Sequence, residues 1–194
     1  MDIFLQAWGG GFYLLNKVLF SLAEGRAEDS KRQLRILGWS VYMLGVPAWV
    51  IILVGNHNWI AAAIEAGGLP AMFFGLLNAL HPEGSLTRGL DRPAALLTYA
   101  ALVFGVGYSL HDFGGITSTS QLLELGVMLG FLAGSYLLAK KKSSGWLFFM
   151  LMNGSMASLM LLQHKPLLAL QQLASLGFVI YGFTLALRTT KNRP

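Results

Sequence analysis

Five polar side chains interrupt stretches of sequence that are otherwise apolar. Glu65 lies in "WIAAAIEAGGLPAMFF", Gln171 and Gln172 in "PLLALQQLASLGFVIYG", Asn153 in "GWLFFMLMNG", and Glu124 in "QLLELGVMLGF". A polar group in hydrocarbon costs free energy unless it is paired, so each marks either a helix contact or a site. Trp146, Phe149 and Asn153 follow one another at i, i+3 and i+7, which puts two rings and an amide on one helix face. One chemistry for such a face is to stack a flat ligand between rings and fix it with amide hydrogen bonds. The plainer alternative is a tryptophan anchored at the membrane interface and an interhelical bond from Asn153, worth about 0.6 kcal/mol in membranes. Glu65 must be protonated or face a cation. Aromatic rings attract a flat cation by about 0.5–2 kcal/mol, so Glu65 beside them could supply the counter-charge.

Positioning these residues requires elements that suit lipid. The chain has 194 residues, 55% hydrophobic and 12% charged, against about 25% charged in a soluble domain. Its mean hydropathy is +0.57. A crossing helix needs about 20 mostly apolar residues, and seven stretches qualify: 4–23, 36–55, 59–80, 93–110, 121–139, 145–163 and 166–187. The expected fold is therefore an all-α integral membrane protein with seven transmembrane helices. The start, Met1-Asp2, lacks a basic leader region, so the first stretch reads as a retained span. Lys17 is expected near the end of that span, its stem carrying the ammonium to the interface. Pro47 and Pro70 are expected bends.

Lysine and arginine cluster in alternate loops: Arg26, Lys31, Arg32 and Arg35, then Arg88 and Arg92, then Lys140 to Lys142, then the C-terminal tail. That bias predicts an outside N-terminus and a cytoplasmic C-terminus. The net charge of +5 is scattered over short loops, which excludes a nucleic-acid surface. No cysteine is present, so disulfides and thiolate chemistry are excluded. There is no phosphate-binding loop, no H-E-x-x-H and no converging catalytic set. No enzyme, cofactor or metal site is expected, and His57, His81, His111 and His164 read as loop residues.

The sequence repeats itself at an offset of 107. Residues 38–80 fall on 145–187 without a gap, matching Gly38-Trp39 to Gly145-Trp146, His57 to His164 and Gly75 to Gly182. Glu65 falls on Gln172, and Trp39, Tyr42 and Val46 fall on Trp146, Phe149 and Asn153. The chain then reads as a 3+1+3 parallel repeat: 1–80 as the first three helices, 81–120 as a connecting helix with its loops, and 121–194 as the second three. Such repeats are related by an axis along the membrane normal, with a substrate site between them near the midplane. Gly126, Gly130 and Gly134 form a small-residue stripe read as helix packing.

The run Trp146-x-x-Phe149-x-x-x-Asn153, with the amides of "ALQQLASLGFVIYG", resembles the PnuC-type vitamin transporters, a family related to SWEET transporters. Its signature on the sixth helix is W-x-x-W-x-x-x-N; Phe149 here replaces the second tryptophan, and Gln171 stands where an asparagine is expected. The resemblance implies facilitated diffusion of nicotinamide riboside, or of thiamine or riboflavin, across the bacterial inner membrane, with cytosolic phosphorylation trapping the product, often in a homotrimer. The implied substrate-binding set is Trp146, Phe149, Asn153, Gln171, Gln172, Glu65, Glu124, Trp39 and Tyr42. A SWEET or PQ-loop-like sugar or amino-acid carrier would be favoured by a Pro-Gln pair in helices 1 and 5, which neither has. An accessory subunit of a larger complex is the reading from a different class.

Overall fold

The computed structural model describes residues 2–55, 59–81 and 85–191. Among the described residues all regular structure is helical: α1 (Asp2–Glu24), α2 (Glu28–Gly55), α3 (Trp59–Gly67), α4 (Leu69–Leu80), α5 (Ser85–Asp112), α6 (Thr119–Ala139), α7 (Ser144–Leu162) and α8 (Pro166–Lys191). Six segments are long and apolar enough to cross a bilayer: α2, the α3–α4 pair from Ala61, α5, α6, α7 and α8. The protein is a multi-pass, all-α membrane protein. Helices suit lipid because they satisfy every backbone N–H and C=O within the segment.

The third span departs from the single helix expected over 59–80. It breaks at Gly68, where a Gly68 N–H to Glu65 C=O bond of 3.2 Å ends α3. Pro70 follows and has no N–H to return to the carbonyl four residues back. Gly68 also leaves room for the Phe131 ring of α6, which a Cβ there would meet at 2.5 Å. Pro47, by contrast, lies inside α2 without ending it.

Two helices extend further than expected. α2 starts at Glu28 and α5 at Ser85, so Lys31, Arg32, Arg35, Arg88 and Arg92 are helical and not in loops. Glu28 and Asp29 in the first turn of α2 favour this start through the helix dipole. His111 likewise belongs to the last turn of α5, and His57 lies outside the described residues.

α1, α2, α4, α6, α7 and α8 close into a ring, each packing on the next and α8 returning to α1. α5 stands outside it against α3, α4 and α6. Glycine sets how closely these helices approach. Trp39 of α2 lies over Gly75 of α4, and Trp146 of α7 over Gly182 of α8. The stripe on α6 packs against α7: a Cβ on Gly126 would meet Ser155 Oγ at 2.5 Å, one on Gly130 the Phe148 carbonyl at 2.5 Å, and one on Gly134 the Phe149 ring at 2.6 Å. Backbone cannot yield as a side-chain tip can, so Gly130→Ala should destabilise the fold by about 1–3 kcal/mol through overpacking. Gly154→Ala, made where nothing lies within 4 Å, should be neutral or gain up to about 1 kcal/mol of helix propensity. Thermal unfolding of the two variants in detergent checks this; equal loss at both positions would contradict the close α6–α7 contact.

Candidate functional site

The predicted face of α7 is buried as a unit, with Trp146 1%, Phe149 0% and Asn153 1% exposed. Trp39 and Tyr42 of α2 are buried opposite it. α2 and α7 are not neighbours in the ring, yet the Tyr42 and Phe149 rings meet edge-on across its centre, with centroids 6.2 Å apart. Trp39 stacks on Tyr42 at 6.3 Å, and Phe131 of α6 meets Tyr42 edge-on at 6.0 Å. The site residues of the two sequence halves thus form one aromatic cluster.

The expected position of Lys17 is overturned. Its side chain is 1% exposed and does not reach an interface. The ammonium sits 3.8 Å from the Phe149 ring centroid and 4.1 Å from that of Tyr42. It donates to Asn16 Oδ1 at 3.0 Å, and Asn16 Nδ2 donates to the Gly38 carbonyl at 3.0 Å. Among the described residues no carboxylate pairs with it. The physical reason is direction. Side chains lean toward their helix's N-terminus, so Lys17 leans away from the Glu24 end of α1, the end it would have had to reach.

α1 carries the other contacts of the site on the same face. Tyr13, one turn from Lys17, donates from its hydroxyl to Glu65 Oε1 of α3. Its ring meets Tyr42 at 4.9 Å and lies 6.3 Å from Trp49. Gln171 of α8 lies against Gly10, where a Cβ would come 2.5 Å from Nε2. Phe20 packs edge-on to Trp39 at 4.7 Å. Gln172 is half-buried, and Glu124 is exposed and apart from the cluster. Lys17, Asn16 and Tyr13 were missed by sequence reasoning. The available signal was their i, i+3, i+4 spacing with Gly10 and Phe20 on one helix face.

Several polar atoms of the cluster lack a partner. The Trp146 indole N–H is buried without an acceptor, and the buried Tyr42 hydroxyl has only the Ser135 hydroxyl beside it. Trp49 Nε1, beside Tyr13, is likewise unpaired. Buried polar groups normally find partners, and each left alone costs about 1–3 kcal/mol. Asn153 differs: its Nδ2 donates to the Phe149 carbonyl of its own helix at 2.7 Å.

Beyond the tryptophans, a cavity of about 300 Å³ opens at the Glu24 end, lined among others by Lys31, Arg32, Arg35, Lys141, Lys142 and Trp146. Glu24 pairs there with Lys31 at 2.9 Å and Arg35 at 2.7 Å. A void of about 10 Å³ shares Glu24, Arg35 and Trp146 with that cavity and touches Phe20 and Trp39. The two indoles therefore lie between the open cavity and the Tyr42–Phe149 cage. At the same end Lys140 bridges to Asp91 at 2.8 Å, and that carboxylate holds its ammonium above the ordinary lysine range.

The helices of the ring thus enclose a polar-lined aromatic centre, with a cavity at the Glu24 end. The family model described as nicotinamide mononucleotide transporter matches residues 30–187, and the chain belongs to that family. It is a transporter and not an enzyme. Comparison with curated proteins and with solved structures returns no match.

The bond from Asn153 to its own helix has a consequence. That helix holds its shape without the amide, because the bonded Phe149 carbonyl already belongs to the helix ladder. Asn153→Leu should unfold within a few degrees of the parent, with ligand affinity reduced roughly tenfold for one lost hydrogen bond. Thermal melting with and without ligand separates the two effects. A large loss of stability with unchanged affinity would make Asn153 scaffold only.

Proposed function

We propose that this protein is a facilitative carrier of a flat cationic vitamin nucleoside, nicotinamide riboside first, across a bacterial inner membrane. The observation that supports the reading is the aromatic pair of Tyr42 and Phe149, whose ring faces take the Lys17 amino group at 4.1 and 3.8 Å from their centroids. A pyridinium can lay its flat face on one of these rings, a contact worth about 0.5–2 kcal/mol. The unpaired Trp146 N–H suits an oxygen of a ribose, and Gln171 and Asn153 suit the carboxamide of the pyridinium ring. Glu65 is the carboxylate of the cluster and the counter-charge.

The packing supports a two-repeat architecture of three helices, a connecting α5, and three helices. At an offset of 107, Trp39 over Gly75 corresponds to Trp146 over Gly182. Exchanging the halves turns α1–α2, α2–α4 and α1–α8 into α6–α7, α7–α8 and α6–α4, all of which are contacts of the ring. With lysine and arginine inside, the Glu24 end is cytoplasmic and the cavity there is the inward mouth.

A thermal-shift screen of the purified protein against free vitamins and nucleosides tests the substrate. Nicotinamide riboside should raise the melting temperature, since a ligand at 100 times its dissociation constant adds about 2.7 kcal/mol. Thiamine or riboflavin stabilising instead would reassign the cargo within the family; no response to any of them would sink the reading. Glu65→Gln should weaken binding and uptake of the cation by tenfold or more, and unchanged transport would remove Glu65 from the site.

A further inference from the structure

A lysine buried in a membrane protein without a carboxylate partner is costly to keep, and its position here is specific. Lys17 does not lie beside the proposed ligand site but inside it, its amino nitrogen against the ring faces of both Phe149 and Tyr42, which stand edge-on to each other. Its stem and head are held by a relay, Lys17 to Asn16 to the Gly38 carbonyl, 3.0 Å at each step. The relay ends at the Gly38-Trp39 pair. There Gly38 gives room to Phe20 of α1, which a Cβ would meet at 2.5 Å. The same helix therefore both builds the cage wall and fills it. The family match begins at residue 30 and so assigns nothing to α1.

We infer that Lys17 is a tethered stand-in for the substrate: its amino group fills the aromatic cage and must leave when a cationic ligand enters. This rests on the reading of the cage as the cation site. The lysine head and a ligand cation cannot occupy the same ring faces at once. Lys17 thereby sets specificity, because only a cation that stacks better than the ammonium can displace it.

The displaced ammonium has a destination. Tyr13 lies about 6 Å further along the same face of α1, packed on Tyr42, with its hydroxyl on Glu65. Glu24 lies about 10 Å the other way and is already held by Lys31 and Arg35. Glu65, whose partner is the neutral Tyr13 hydroxyl, is the carboxylate that can receive the charge. The single acid would then hold Lys17 while the pyridinium holds the rings, so total charge in the centre changes only by that of the ligand.

Binding to Lys17→Met and Lys17→Gln, measured with nicotinamide riboside and with its uncharged dihydropyridine form, tests the inference. Both variants should bind the pyridinium at least tenfold more tightly than the parent, while the uncharged form, which must displace the same side chain without the cation–ring gain, tightens by a smaller factor. In the parent, labelled-lysine NMR should show one ε-methylene shifted upfield by the ring currents of Tyr42 and Phe149, moving to an ordinary position on adding the pyridinium. That second readout needs no variant and stands even if the substitutions fail to fold. Equal or weaker pyridinium binding by folded variants, or a shifted lysine resonance unmoved by bound ligand, overturns the role of Lys17 while leaving the cargo intact. If the parent binds no cationic vitamin at all, the functional reading falls and this inference falls with it.

Discussion

A lysine head buried among aromatic rings at the centre of the bundle is the constraint on which the rest of this structure turns. Taking a lysine head out of water is costly. Here its partners are two ring faces and one amide oxygen. Those partners come from three helices, α1, α2 and α7, and must converge within about 4 Å of one atom. The tight Trp–Gly contacts and the glycine stripe of α6 are what let the helices close in far enough.

The same convergence explains the unpaired polar atoms. A cluster shaped only for stability would be apolar, since half-satisfied polar networks weaken a core. Trp146 and Trp49 instead bring buried indole donors to the centre or its edge without partners. Glu65 sits three residues from the break between α3 and α4. Broken helices in membrane carriers occur where backbone lines a path and not where it faces lipid.

α1 holds the column together. Along one face it meets Gln171 at Gly10, Glu65 at Tyr13, the cage at Lys17, and Trp39 at Phe20, and it ends in the Glu24 ion pairs. Small rotations of such a helix would move all these contacts together. The indoles of Trp39 and Trp146, packed over Gly75 and Gly182, lie between the aromatic cluster and the open cavity.

By itself the sequence determined the class: apolar runs of spanning length dictate membrane helices, because no other open structure satisfies its own backbone in lipid. It also made the buried face of α7 and its copy in α2 legible, since helical spacing decides which side chains share a face. Trp146, Phe149, Asn153, Trp39 and Tyr42 were all readable in that way. The helix starts at Glu28 and Ser85 were not, because charged turns at a membrane surface look like loops while remaining helical. Nor was the break at Gly68, where the Phe131 ring of a distant helix takes the space. Lys17 was the largest departure. One-dimensional position put it near a span end, whereas its direction along the helix and the two rings it meets are properties of three packed helices. Which charges meet which rings was decided by tertiary structure alone, because a cation–π contact needs a distance and a ring orientation that no spacing within one helix can specify.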